Sequence, residues 1–264
     1  MISSAGPHYG EEPPLVGWRG SGTIFFSSCN LKCAFCQNYE ISQLRIGQTI
    51  TAEELAHVML GLQDRGCHNI NLVTPTHFTP QIVQALAIAV ERGLHLPIVY
   101  NCSGYESLRT LRLLEDIVDI YMPDIKYSDN AIARRYSGAP TYWDVVRPAI
   151  KEMHQQVGDL VINGQGLACR GLLIRHLVLP NGLAGSRAVL DFIAKEISLD
   201  SYVNIMDQYR PVNRARRYSE LNRRITANEF HDVVSYARSV GLHRGFEAEE
   251  EPSLVFSGMR RSKQ

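Results

Sequence analysis

Thr23-Ile-Phe-Phe-Ser-Ser-Cys29-Asn-Leu-Lys-Cys33-Ala-Phe-Cys36 runs a β-branched and aromatic segment straight into three cysteines. Thr23 to Phe26 predicts a short buried strand, so the cysteine loop begins at a strand end. No fourth cysteine follows nearby. A structural zinc site wants four closed ligands, whereas three thiolates on an iron–sulfur cubane leave one iron open to bind something else. The spacing favours a [4Fe-4S] cluster on Cys29, Cys33 and Cys36. The competing readings are zinc completed by a distant histidine such as His68 or His77, and three cysteines with no metal.

Outward from this loop, strand and helix signals alternate. Thr51-Ala-Glu-Glu54 is a capping box heading a helix with Leu55, Val58 or Met59, and Leu62 at helical spacing, stopped by Gly66. Asn69 to Thr74 reads as strand, and Thr79-Pro80 opens a helix that Gly93 ends. Pro97 to Asn101, Ile117 to Asp124, Leu172 to Leu179 and Tyr202 to Met206 read as strands. Helices are expected over Glu106 to Leu114, Val145 to Val157 and Ser186 to Ile197, and a second capping box, Thr226-Ala-Asn-Glu229, heads the last one to Val240. About six strands alternating with helices imply parallel strands joined by right-handed crossovers. The fold class is α/β, a single-domain partial (β/α)6 TIM-like barrel, with a doubly wound open sheet as the competitor. In both, the loops at the strand carboxyl ends form the functional face, and the cysteine loop and residues 74–77, 101–105 and 124–126 all fall there.

Residues 1–20, with Pro7, Gly10, Pro13 and Pro14 and no period, read as an irregular lead-in. Residues 21–246 form the core domain, and residues 247–264 a flexible tail. The chain of 264 residues is 45% hydrophobic, and its 27 Lys plus Arg balance 27 Asp plus Glu, so no net field draws it to nucleic acid or to an anionic membrane. No run reaches the roughly 18 apolar residues of a membrane span, and the start does not read as a signal peptide. A cytoplasmic location is expected. Six cysteines are too sparse for a disulfide framework, and Cys67, Cys102 and Cys169 read as small buried hydrophobes.

With Phe35 before the last cysteine, CxxxCxxC is the signature of the radical S-adenosylmethionine (SAM) superfamily, which this chain resembles. The run Gly22 to Asn38 looks like the pyruvate formate-lyase activating enzyme group and its activase-like relatives, and the resemblance extends from about Gly10 to Phe246. It implies a barrel of the radical SAM type and an open iron that chelates S-adenosyl-L-methionine. Reductive cleavage then gives a 5'-deoxyadenosyl radical that takes a hydrogen atom from the substrate.

The resemblance also implies cofactor contacts. Phe35 would pack near the adenine and Asn38 orient the nucleoside or cap the loop. Thr74, Thr76 and His77 follow the second strand, Asn101 and Ser103 the third, Asp124 and Lys126 the fourth, while Arg175 lies in an apolar strand and Gln208 follows the last. Val73-Thr-Pro-Thr-His77 stands where family members commonly have Gly-Gly-Glu, so the carboxylate for the methionyl amino group is missing. Asn101 replaces an aspartate that in activases joins the fourth-strand aspartate at a monovalent cation. A further cysteine-containing segment, found in relatives upstream of the equivalent of Gly10, is expected to be lacking.

The implied partners are a glycyl radical enzyme as protein substrate and an electron donor such as flavodoxin or ferredoxin, with no membrane and no nucleic acid. Arg210, Arg214, Arg216, Arg217, Arg223 and Arg224 make residues 207–224 the candidate docking region for an acidic protein. Modification of another peptide or of a small molecule is the alternative within radical chemistry. A non-catalytic zinc or iron–sulfur module is the alternative outside it.

Overall fold

The computed structural model of the chain describes residues 1–246. Strand β1 (Ile2–His8) and the one-turn helix α1 (Pro13–Val16) lead into β2 (Ser21–Phe26), α2 (Tyr39–Ser42) and α3 (Ala52–Asp64). There follow β3 (Ile70–Val73), α4 (Thr79–Glu91), β4 (Ile98–Cys102), α5 (Leu108–Leu113) and β5 (Ile120–Pro123). The second half holds α6 (Asn130–Ser137), α7 (Tyr142–Val157), β6 (Val161–Ile162), β7 (Ala168–Leu177), α8 (Ser186–Phe192), β8 (Tyr202–Met206) and α9 (Ala227–Ser239).

Strands β2, β3, β4, β5, β7 and β8 pair in parallel in that spatial order, the arrangement of a partial (β/α)6 barrel. β1 adds antiparallel to β2, and the short β6 antiparallel to β7. Both capping boxes form: Thr51 Oγ1 accepts from Glu54 N at 3.1 Å, and Thr226 Oγ1 from Glu229 N at the same distance. Each box stops the orphan amides of a first turn from competing for other partners, which fixes where α3 and α9 start.

Side chains alternate across the strands, as period two demands. Ile24 of β2 and Leu72 of β3 point outward to pack with Leu55, Met59 and Leu62 of α3 and Ile82 and Leu86 of α4. Val99, Ile120, Met122 and Leu173 form a separate cluster with Leu160 and with Leu15 of α1. This cluster makes the barrel floor. Strands buried on both faces read as continuous apolar runs, which is why the parallel ladder shows so plainly in the sequence.

Three expectations change. The irregular lead-in is instead strand β1 and helix α1. An edge strand needs backbone partners on one side only, so it tolerates Pro7, and its half-exposed side chains carry no alternating signal. The gap between residues 126 and 145 holds α6, capped by Asp129 Oδ1 accepting from Ile132 N at 2.8 Å and ended by Gly138 at φ 70°. α7 begins at Tyr142, earlier than the expected Val145. The expected tail lies outside the described residues. Among those described, no helix is long and apolar enough to cross a membrane.

Leu15 is fully buried in the floor, and Asn69 Nδ2 donates to its carbonyl at 2.9 Å. Leu15→Ala is expected to cost about 2–5 kcal/mol through the cavity it leaves. A urea unfolding curve with an unchanged slope and a lowered midpoint would report it.

Candidate functional site

The cysteine loop leaves β2 through Ser28, whose φ of 77° turns the chain sharply. Lys32 N and Ala34 N donate to the carbonyls of Ser137 and Tyr136 at 2.8 and 2.7 Å, pinning the loop to the end of α6. Each sulfur has a neighbour: Leu31 N donates to Cys29 Sγ at 3.4 Å, Ser137 Oγ donates to Cys33 Sγ at 3.0 Å, and Cys36 Sγ lies 3.2 Å from Ser42 Oγ. Burial pushes the Cys29 thiol up to about 12 and raises that of Cys33 as well, while nearby Lys126 works against the shift at Cys33. The thiolate is the form that ligates metal, so a bound cationic group would have to displace these protons against the cost of burial.

All three cysteines line one cavity at the carboxyl ends of the strands. Among the described residues no three His, Cys, Asp or Glu side chains converge on a single-ion site. The three thiols nonetheless open onto one shared cavity, which a multi-iron cluster ligated by cysteines requires. His68 is at the other end of β3, where its Nε2 accepts from Arg19 N at 3.2 Å and its ring meets Trp18 at 4.4 Å. The zinc reading through His68 is therefore ruled out by position.

The cavity floor is charged. Asp124 Oδ2 accepts from Lys126 Nζ at 2.5 Å and its Oδ1 from Arg175 Nε at 2.8 Å. Burial opposes ionisation of Asp124, but Arg175 and Lys126 outweigh it and hold the carboxyl below its usual range. Arg175 Nη2 donates to Asn101 Oδ1 at 2.8 Å, Nη1 lies 3.4 Å from Glu11 Oε2, and Nε lies 4.0 Å from Glu12 Oε1. Asn204 Nδ2 of β8 donates to the same Glu12 oxygen at 2.9 Å. Glu11 and Glu12 escaped the sequence reading because they sit in the supposed lead-in. The signal available was an arginine inside an apolar strand, which needs more acceptors than one aspartate offers.

Phe35, Asn38, Thr74, Asn101, Ser103, Asp124, Lys126, Arg175 and Gln208 line the cavity with the cysteines. Phe35 also stacks edge-on against Tyr209 at 5.6 Å, and Asn38 makes no side-chain cap bond to α2. Thr74, at φ 59°, donates its amide to Asn101 O at 2.8 Å and so joins the ends of β3 and β4. Thr76 and His77 do not reach the cavity. Thr76 Oγ1 turns away and donates to Glu106 Oε1 at 2.7 Å, because that buried carboxyl needs a donor. His77 lines an outer depression beside Cys29. Of the arginines in residues 207–224, Arg223 pairs with Glu229 at 2.7 Å and Arg214 Nη2 donates to Lys32 O at 2.6 Å. Arg210, Arg216, Arg217 and Arg224 are exposed. Cys67 and Cys102 are buried as expected, whereas Cys169 is only partly so.

A family model described as the radical SAM superfamily matches residues 23–168. The chain belongs to the radical SAM superfamily. Radical SAM proteins use a [4Fe-4S] cluster and S-adenosylmethionine. The chain is 33% identical over 243 residues to an uncharacterized protein of Methanocaldococcus jannaschii, covering 89% of this chain and 66% of that protein. It is 28% identical over 133 residues to a pyruvate formate-lyase-activating enzyme of Clostridium pasteurianum, covering 47% of this chain and 53% of the enzyme. The chain thus spans about one half to two thirds of these relatives. The [FeFe]-hydrogenase maturase HydG of Carboxydothermus hydrogenoformans shares the fold with a TM-score of 0.56 at 12% identity, over 81% of this chain and 49% of that one.

Burial raises Glu106 to about 7, although Thr76 and Tyr100 donate to it. An acid raised in the folded state contributes stability that is complete below its unfolded value and lost as pH rises through about 7. Unfolding free energies are expected to fall by up to about 3 kcal/mol between pH 5 and pH 8, a fall that Glu106→Gln removes. Urea titrations of both proteins at the two pH values measure it.

Proposed function

We propose that this radical SAM enzyme holds its [4Fe-4S] cluster on Cys29, Cys33 and Cys36 and binds S-adenosylmethionine across the Asp124–Lys126–Arg175 floor. On this reading it abstracts a hydrogen atom from a macromolecular partner, as an activase does from a glycyl radical enzyme. The observation that carries the reading is that three free thiols at one strand end open onto the same cavity as that charged floor. When bound, the two groups supply reductive cleavage of the cofactor and thereby hydrogen-atom abstraction.

The chain's own residues supply the setting. Lys126 and Arg175 put two cations within reach of a carboxylate or of ribose hydroxyls, and Asp124 keeps both in place. Asp124 is also the one carboxylate among the residues lining the cavity, so it takes the role of anion for a methionyl ammonium that the 73–77 loop leaves open. The exposed arginines of residues 207–224 suit an acidic protein surface beside the mouth, where Gln37 Nε2 donates to Gln208 O at 3.4 Å. Free thiols throughout the described residues suit a reducing compartment such as the cytoplasm.

Anaerobic reconstitution is expected to load one [4Fe-4S] cluster per chain, and the single variants Cys29→Ala, Cys33→Ala and Cys36→Ala to lose it. Iron and sulfide analysis decides between this and a zinc protein. Asp124→Asn is expected to weaken cofactor binding about tenfold or more, read as the Kd for S-adenosylmethionine. The activase reading requires a glycyl radical signal in a co-incubated partner and deuterium transfer from it into 5'-deoxyadenosine. Transfer from a small molecule alone would replace that reading with the alternative substrate class.

A further inference from the structure

β8 is the last strand of the parallel ladder, and its outer edge is covered only at its start. Beyond α9 the chain returns alongside it: Val203 N donates to Arg244 O at 3.0 Å, and Tyr202 and Arg244 form a parallel bridge. Val178 N, just past β7, donates to Met206 O at 3.0 Å, so the amide and carbonyl of Ile205, like those of Val203, point the other way, to the outer edge. Among the described residues the pairing along that edge goes no further than Arg244. Folded proteins cover such edges, because their open backbone groups invite foreign strands.

Between this edge and α9 runs a groove of about 1000 Å³. Phe230, His231, Val234 and Arg238 line it at helical spacing from one face of α9, with Arg224 and Ile225 just ahead of the helix. Arg224, His231 and Arg238 are exposed, and among the described residues none of them pairs with a carboxylate. Asp207 is the one acid among the residues lining the groove. Tyr209 divides the groove from the inner cavity, lining the first while its ring meets Phe35 of the second edge-on at 5.6 Å.

Phe246, the last described residue, is 9% exposed on the wall of the groove, where the chain runs in the direction of β8. Glu247-Ala-Glu249-Glu250-Glu251-Pro-Ser-Leu254-Val255-Phe256 follows it. Extended chain advances roughly 3.3 Å per residue and a helix about 1.5 Å, so these residues outreach the thirteen-residue α9. We propose that residues 247–256 lie in the groove as a strap over the open edge of the barrel. The four glutamates meet Arg238, His231 and Arg224, and Leu254, Val255 and Phe256 rest on Ile225 and Phe230. Exposed ion pairs contribute little singly, so the apolar triplet supplies most of the attachment and the charges set its register. Tethering to the groove wall gives the segment an effective concentration that a separate acidic protein lacks. The strap keeps water from Tyr209 and hence from the flank of the inner cavity. Nothing in this arrangement depends on the cluster or on S-adenosylmethionine.

Hydrogen exchange of the full-length chain, followed by mass spectrometry, is the test. Residues 253–256 are expected to exchange at least about tenfold more slowly than in a synthetic peptide of residues 247–264. Leu254→Ser with Phe256→Ser is expected to abolish that protection and to speed exchange in the peptide spanning β8, where Ile205 loses its cover; these substitutions leave every core residue intact. Arg224→Glu with Arg238→Glu is expected to weaken the protection, most at low ionic strength, and the added changes Glu249→Lys, Glu250→Lys and Glu251→Lys to restore it. Exchange of residues 253–256 at the rate of the synthetic peptide would overturn the proposal. So would protection indifferent to the arginine substitutions, which places the segment elsewhere. Protection that fades on dilution would overturn it too, and assign the groove to the same segment of a second copy.

Discussion

The Asp124 carboxylate, clamped between Lys126 Nζ and Arg175 Nε, is the interaction on which the interior depends. Burying charge is tolerable only when the partners and their remaining hydrogen-bond capacity are met. Arg175 satisfies that condition by reaching four residues on three segments: Asp124 after β5, Asn101 on β4, and Glu11 and Glu12 ahead of α1. Removing one member of such a set typically costs about 3–5 kcal/mol, because the others are left buried without compensation. The surface pair Arg92–Glu53 has both partners more than half exposed and contributes at most about 1 kcal/mol. The inner network, not the surface pairs, therefore ties the strands and the amino-terminal segment into one floor.

The same network explains a departure from the pattern of the resembled activases. Asn101 removes a negative charge where those enzymes have an aspartate, yet its amide oxygen still accepts from the Arg175 guanidinium. A protein cation thus lies between Asn101 and Asp124. Tyr142, wholly buried, steadies the adjoining loop from α7: its hydroxyl accepts from Lys126 N at 2.9 Å and lies 2.9 Å from the carbonyl oxygens of Ser103 and Asp124. Helix α7 thereby braces two strand ends of the cavity rim together. The cavity-lining side chains stand on strand ends whose positions the packing of the outer helices already determines.

Much of this was readable in advance, and for local reasons. Capping boxes, the glycine stops and the apolar strands each act within a few residues, so α3, α9 and the parallel ladder could be placed from the sequence. Asp124, Lys126 and Arg175 were readable as pocket residues because charge at the end of, or inside, a buried strand demands a partner. β1 and the roles of Glu11 and Glu12 were not. α6 carried local signals, the Asp129 cap and the Gly138 stop, that the sequence reading passed over; a half-exposed edge strand gives no alternation, and nothing in two acids beside a Pro-Pro pair announces a partner as distant as Arg175. Thr76 and His77 were misplaced for a similar reason: Glu106, thirty residues on, draws Thr76 out of the cavity.

The sequence by itself determined the three thiols, their spacing after a buried strand and the alternation that makes a parallel sheet, since all of these follow from covalent order and local backbone preference. Tertiary structure alone decided which charges meet across the barrel and how the amino-terminal segment seals it. It also decided that Cys29 faces both an inner cavity and an outer depression. Those outcomes rest on contacts between distant residues, where burial makes each unpaired charge too costly to leave, and no local pattern encodes them.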